Sequence, residues 1–155
     1  MSIKSRLLTI LMLLAAPAAF ACDLVAFEHA RIAATPGNVA AAYVTLTSTP
    51  GDTLTSVTSN CCTAVEIHES RMDAGVMKMR KLESLPLPAG KEVALDESML
   101  GEASYHLMLI DPKKPLKKGD AVKLTFHFAK TPKHTVTFRV GEEAPADDHS
   151  HHHTM

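Results

Sequence analysis

Apolar and polar residues alternate in short runs along most of the chain. In the run 121–128, Val122, Leu124, Phe126 and Phe128 alternate with mostly polar positions, and the run 135–140 repeats the pattern. A period of two puts the apolar side chains on one face of an extended strand. The chain is therefore predicted to be built from β-strands.

The same pattern predicts eight or nine strands and no sustained helix. We place them at residues 24–32, 39–47, 54–57, 64–69, 76–82, 92–95, 105–110, 121–128 and 135–140. Residues 72–75 are predicted to be a turn, and residues 85–90 a loop stiffened by Pro86 and Pro88. Many short strands at this spacing predict an all-β sandwich or barrel.

Both ends of the chain depart from the strand pattern. Lys4 and Arg6 precede an apolar run at 7–16, and the small residues Ala19 and Ala21 predict a cleavage site. Residues 1–21 are therefore predicted to be a secretory signal peptide. Cleavage there leaves Cys22 first, which opens the alternative of a lipoprotein acylated at Cys22. Ala19 stands where such signals usually carry Leu, and this favours ordinary cleavage.

The predicted domain is residues 22–140, and a tail follows it. Residues 141–155 are Gly, Glu, Ala, Pro, Asp, Ser, Thr and His with a final Met, so they are predicted to be disordered. The formal net charge of the whole chain is −1. No basic stripe is present, which argues against a nucleic-acid partner, and a monomer is expected.

Three cysteines leave two alternatives open. In an oxidising compartment Cys22 could form a disulfide with either Cys61 or Cys62, with one thiol left over. The alternative is a thiolate metal site, which is disfavoured because no Cys-x-x-Cys spacing occurs.

Two histidines and two methionines carry the candidate chemistry. His68, Met79, His106 and Met108 offer imidazoles and thioethers, a soft and neutral donor set that favours copper(I). His106 and Met108 are two apart, so they share one face of a strand. Taken singly, each of these residues is better explained as structural or incidental than as metal-binding. The combination, with its strand parity, favours a metal site.

Neighbouring residues extend this candidate site. Met77 shares a strand face with Met79, and Met72 is a further possible thioether, so both are accessory candidates. Glu66 shares the face of His68, and a carboxylate there is predicted to orient the imidazole.

The tail is a second, separate candidate. His149, His151, His152 and His153 follow Asp147 and Asp148, and such a strip can bind copper(II), nickel or zinc. A purification-tag origin is the alternative, but Ser150 interrupts the run and Thr154 and Met155 follow it.

Several segments together resemble a known family. Residues 65–69, 75–80, 87–90, 105–109 and 114–120 look like those of the PCu(A)C copper chaperones, and the resemblance covers residues 24–140. The segment between Met79 and His106 is longer than in that family, with the extra length placed at 96–104. The Cys61–Cys62 pair is not part of the family signature.

The resemblance implies a cupredoxin-like, Greek-key β-sandwich with an exposed copper(I) site. Its ligands would be His68, Met79, His106 and Met108. It also implies a periplasmic chaperone that supplies the CuA-bearing subunit of cytochrome c oxidase, beside Sco-type copper proteins.

The sequence also bears on two other functional classes. An enzyme is disfavoured because the chain lacks Ser-His-Asp spacing, paired carboxylates, a nucleotide loop and a His2Cys blue-copper arrangement. A periplasmic copper buffer without a delivery partner would use the same site, so the sequence leaves it open.

Overall fold

The computed structural model describes residues 24–33, 38–96 and 103–141. The predicted signal peptide, Cys22 and residues 142–155 lie outside these ranges. Cleavage at residue 21, acylation of Cys22, the domain boundaries and the disordered tail therefore stay predictions. No helix in the described ranges is long and apolar enough to cross a membrane.

Ten strands make up the described structure. They are β1 (Val25–Ala33), β2 (Val39–Ser48), β3 (Asp52–Thr58), β4 (Cys62–Asp73), β5 (Val76–Leu82), β6 (Leu85–Leu87), β7 (Glu92–Leu95), β8 (Ala103–Pro112), β9 (Ala121–Phe128) and β10 (His134–Val140). The alternation of the sequence thus predicts the elements well, and the described part of the chain is all β.

All ten strands belong to one sheet, in the order β5-β4-β8-β7-β2-β1-β10-β9-β3-β6. Most neighbours are antiparallel, while β1 pairs with β10 and β7 with β8 in parallel. Near the two ends of this order, β3 also pairs with β4 through Val57 and Val65. The sheet therefore closes on itself as a barrel, which leaves few free edges.

Two local predictions were wrong. Strand β4 runs on to Asp73, so Met72 lies in a strand rather than in the turn, and only Ala74 and Gly75 connect β4 to β5. Residues 85–87, predicted as loop, form β6 against β3, with Thr53 opposite Pro86. Because β6 is at the end of the sheet order, Pro86 can take part without leaving an inner ladder incomplete.

The core fills the inside of the barrel. Phe126 and Phe138 are fully buried and stack with ring centroids 6.1 Å apart, and Phe27 packs against Phe126 at 5.0 Å. Leu46 and Leu124 are also fully buried. Each such side chain contributes roughly 1.5–3 kcal/mol by leaving water. This rigid interior is the scaffold on which the outward-facing residues of β4, β5 and β8 are held.

Candidate metal centre

The two predicted histidine ligands lie side by side. Strands β4 and β8 are antiparallel neighbours, and their register puts His68 directly opposite His106. The ring centroids are 5.5 Å apart and the rings meet edge to face. Residues 38 positions apart in sequence are thus brought together by the sheet.

The same registers gather the methionines on this face. Met108 is opposite Glu66, Met79 is opposite Ser70, and Met72 is opposite Met77. Because side chains alternate along a strand, these residues share the face of His68 and His106. The face formed by His68, Met72, Met77, Met79, His106 and Met108 is called the His–Met face below.

A cavity of about 220 Å³ opens on this face. Its lining includes Met77, Met79, His106 and Met108, together with Ala41, Tyr43, Ser70, Asp96 and Ser104. His68 is not among the lining residues, and it borders the cavity through its contact with the ring of His106. Three of the four predicted ligands therefore line one cavity, and the fourth, His68, contacts the lining residue His106.

The His–Met face runs from exposed to buried. Met72, Met77 and Met79 are each more than half exposed, which is unusual for large apolar side chains, while Met108 is half-buried and His106 is buried. The exposed thioethers all belong to the β4–β5 hairpin. Soft donors are therefore accessible from solvent at one side of the cavity.

Glu66 holds the ring of His68, as the sequence predicted. Its Oε2 is 2.9 Å from His68 Nε2, and its Oε1 accepts a hydrogen bond from Lys81 Nζ at 3.0 Å. The contact with His68, followed by that with Lys81, lowers the pKa of the Glu66 carboxyl. Glu66 is therefore an ionised acceptor that fixes one ring nitrogen.

The other nitrogen of His68 is buried without a partner. Within the described ranges, Nδ1 is one of two buried side-chain polar atoms with no hydrogen-bond partner, the other being the hydroxyl of Ser48. Buried polar atoms in native proteins are nearly always satisfied, so such an atom calls for an explanation. A metal ion would supply the missing partner.

Sequence reasoning missed the support on the opposite face of β4. Glu69 is buried and forms ion pairs with Arg71 at 3.2 Å and with Arg80 across the β4–β5 ladder. Burial by itself raises the pKa of Glu69, but the hydrogen bonds from Arg80 and Arg71 outweigh this and lower it. Strand parity puts Glu69 on the face away from His68, but its pairing with Arg80 follows from the β4–β5 register and not from the sequence.

The cysteines lie away from the His–Met face. Cys61 is half-buried and Cys62 buried, and neither forms a disulfide with another described residue. Burial and the neighbouring Cys61 thiol raise the pKa of Cys62 to about 12. Cys22 lies outside the described residues, so a disulfide with either thiol stays a prediction.

The donor types present define what the centre can bind. Across residues 24–33, 38–96 and 103–141, no three His, Cys, Asp or Glu side chains group together as metal ligands. The His–Met face instead joins imidazoles to thioethers, a combination that suits copper(I) better than zinc, iron or magnesium. The tail histidines 149, 151, 152 and 153 lie outside the described residues.

A family model covers the barrel. Residues 25–140 match the family described as "Putative lipoprotein LpqE-like". The chain belongs to this family. It is also 32% identical over 107 residues to the protein RP573 of Rickettsia prowazekii (strain Madrid E). That match takes in 68% of the chain but only 57% of RP573, so the chain spans a little over half the length of this relative.

Solved structures with a similar fold are PCuAC domains. The copper-bound PCuAC domain from PmoF2 is 21% identical, with a TM-score of 0.59 over 78% of this chain and 95% of that domain. The solution structure of CuI-DR1885 from Deinococcus radiodurans is 25% identical, with a TM-score of 0.56 over 81% of this chain and 83% of that protein. The predicted cupredoxin-like all-β fold is thus confirmed. The predicted resemblance to PCuAC proteins is confirmed at the level of the family.

Proposed function

We propose that this protein binds copper(I) as cargo and passes it on as a metallochaperone. The pair His68–His106, placed on one face with the thioethers of Met79 and Met108, is the observation on which the proposal rests. In this proposal those four side chains hold the ion, and Met72 and Met77 are accessory donors.

The donor set suits a carrier of copper(I). Thioethers are neutral and need no deprotonation, while imidazoles bind metal only in their neutral form. A methionine sulfur cannot be lost to a disulfide, although strong oxidants convert it to the sulfoxide. Such a site can hold the reduced ion where a thiol pair would be oxidised.

The second nitrogen of His68 fits this use. Glu66 occupies Nε2, so Nδ1, which has no hydrogen-bond partner among the described residues, is the nitrogen we assign to copper. A carboxylate on the outer nitrogen of a metal-binding histidine fixes the ring and raises its basicity. This contact supports His68 as a ligand.

The exposed methionines suit the release of copper(I) to an acceptor protein. Met72, Met77 and Met79 are more than half exposed on the β4–β5 hairpin, so an acceptor protein can reach the site from that side. Ligands of the acceptor would then replace the thioethers one at a time. A fully enclosed site would require the barrel to open first.

Relatives support copper as the metal. The name of the similar Deinococcus radiodurans structure states that DR1885 carries copper(I), at 25% identity to this chain. The PmoF2 domain is copper-bound, and at 21% identity it supports the fold alone. We extend copper(I) to this chain because the donor set on its His–Met face suits the same ion.

The proposal places the protein outside the cytoplasm. The family is described as lipoprotein-like, and residues 1–21 read as a secretory signal. We propose the periplasm as the compartment. Acylation of Cys22 would add a membrane anchor there.

Delivery and buffering are two versions of this function. The delivery version supplies the CuA-bearing subunit of cytochrome c oxidase, beside Sco-type proteins. A deletion strain separates them: oxidase activity lost and restored by added copper favours delivery, whereas copper sensitivity alone favours buffering. Neither version includes catalytic turnover.

The tail is proposed as a copper(II) strip. Four histidines between 149 and 153 supply nitrogen donors for the oxidised ion, while the His–Met face favours the reduced one. Replacing all four by Ala should remove most copper(II) binding and spare copper(I) binding. Undiminished copper(II) affinity in that variant would refute the two-site scheme.

Anaerobic copper(I) titration against a competing chelator tests the main proposal. His106→Ala and Met108→Leu should each weaken copper(I) binding sharply without unfolding the barrel. His29→Asn is the matched control, because it removes an imidazole at an exposed position and Asn tolerates the positive φ of 56° found there. Wild-type copper(I) affinity in both site variants would overturn the assignment.

A further inference from the structure

The end of the barrel that lies away from the His–Met face has a large basic groove. Its cavity of about 930 Å³ lies between the end of β3, the start of β4 and the 113–123 segment, and Lys113, Lys114, Lys117 and Lys123 line it. Cys62 at this end is opposite Pro112, six ladder positions from the His68–His106 pair, or about 20 Å along the strands. The groove is therefore separate from the His–Met face.

The lysines of the groove are not neutralised by the barrel. One carboxylate, Asp120, lines the groove, and its Oδ2 accepts a hydrogen bond from the Lys117 backbone N–H at 2.9 Å. None of the ion pairs among the described residues includes a groove lysine or Lys118. Four lysines against one aspartate leave the groove strongly positive.

The chain leaves the barrel beside this groove. The N–H of Gly141 donates to the carbonyl of Ile32 at 2.9 Å, and the carbonyl of Val140 accepts from Gly119 at 2.7 Å. Gly141 has a φ of +91°, and a Cβ there would lie 2.6 Å from Cγ of Lys118. The last described residue is thus packed onto the lysine-bearing loop.

The residues that follow carry the opposite charge. Glu142, Glu143, Asp147 and Asp148 give the segment 142–148 four carboxylates and no basic residue. Seven residues span at most about 25 Å when extended, which is enough to follow a cavity of this size from its edge. The segment 142–148 therefore has the opposite charge to the groove and enough length to follow it.

We propose that the acidic segment 142–148 docks onto the basic groove of its own barrel. The contact is electrostatic: carboxylates face Lys113, Lys114, Lys117 and Lys123, and salt weakens it. Because the segment is tethered at Gly141, the local concentration of carboxylates is high and no second molecule is needed. Docking would hold the histidine strip at the end of the barrel away from the exposed methionines.

This inference goes beyond the proposed copper function and does not depend on it. It concerns charged side chains that the copper site does not use. Its test therefore needs no added metal.

The test is zero-length carbodiimide crosslinking of the full chain, mapped by mass spectrometry. Crosslinks are expected between carboxylates of 142–148 and lysines of the groove, at a yield that does not change on dilution and that falls at high salt. The double variant K114Q/K117Q should lose most of the yield. The matched control K130Q/K133Q removes two exposed lysines that do not line the groove and should retain it.

A second measurement guards against effects on folding. Amide NMR spectra of the full chain and of its neutral-tail variant E142Q/E143Q/D147N/D148N should differ at groove residues and agree in the core. Unchanged groove resonances would overturn the proposal. Crosslinks found only between two chains, in a mixture of isotope-labelled and unlabelled protein, would also overturn it and assign the groove to a second copy.

Discussion

At the scale of single residues, position on a strand decides which side chains belong to the site. His106 and Met108 were predicted to share a face, and they do, as do Met77 and Met79. The contact of Glu66 with His68 was predicted from the same parity. Parity follows directly from sequence, because side chains alternate along any strand.

Parity does not identify the residue that lies opposite on the neighbouring strand. That His68 faces His106 depends on the register of β4 against β8, which is fixed by packing of the whole barrel. The ion pair between Glu69 and Arg80 depends on register in the same way. Such pairs became visible only when the strands were assembled.

Glu66→Gln tests the role of the carboxylate on His68. Gln keeps the size of the side chain but loses the charge that orients the imidazole and raises its basicity. We expect copper(I) affinity to fall by about tenfold, the lower end of the effect of outer carboxylates. Chelator competition measures it, with Lys81→Gln as the control that removes the other partner of Glu66. Equal affinity in E66Q and wild type would exclude this role.

Asp52 links stability to pH. Its buried carboxylate accepts hydrogen bonds from the N–H groups of Thr53, Lys130 and Thr131 and from the Thr131 hydroxyl. Burial raises the pKa of Asp52, but these bonds, led by that from the Thr131 side chain, outweigh it and lower the pKa from 3.8 to about 2. The ionised form is therefore favoured in the folded state.

The sign of the pH effect follows from that lowered pKa. The stabilisation by Asp52 is complete above its unfolded pKa and is lost as the pH falls from about 4 to about 2. Denaturant unfolding at a series of pH values should show this loss in wild type and much less of it in Asp52→Asn. At neutral pH the variant should be less stable by about 2 kcal/mol or more, because the bonds to a charged acceptor are lost. Matching acid profiles would contradict this account.

At the scale of elements, the sequence predicts strands better than it predicts their ends. The bounds of β5, β7 and β9 agree with those read from alternation, whereas β4 and β8 extend further. Their extra residues are held by pairing with neighbours, which alternation alone does not report. Strand β6 was missed because Pro86 argued for a loop, although Leu85 and Leu87 are both buried.

The β4–β5 turn offers a test at this scale. Ala74 and Gly75 have φ values of 49° and 80°, so the two-residue turn needs left-handed backbone at both positions. Asn adopts this conformation more readily than Ala, so Ala74→Asn should stabilise the protein by roughly 0.5–1 kcal/mol. Gly75→Ala is the opposite change and should destabilise it. Denaturant unfolding measures both changes. If A74N is less stable than wild type, the left-handed backbone at residue 74 does not limit the stability of the hairpin.

At the scale of the whole molecule, one barrel presents two distinct chemical surfaces. Soft donors gather where β4, β5 and β8 meet, and lysines gather about 20 Å away at the other end of the same ladder. The all-β class was predictable because alternation and turn residues recur along the chain. Closure of the sheet through β3 and β4 was not, since it joins strands near opposite ends of the sheet order.

X-ray absorption at the copper edge tests the central claim most directly. The protein would be loaded anaerobically with one equivalent of copper(I), with Cys22, Cys61 and Cys62 all replaced by Ser and the four tail histidines replaced by Ala. We expect a first shell of both sulfur and imidazole nitrogen, with the sulfur contribution reduced in Met108→Leu and the imidazole contribution reduced in His106→Ala. A shell without sulfur, or one that neither substitution changes, would contradict the assignment of His68, Met79, His106 and Met108.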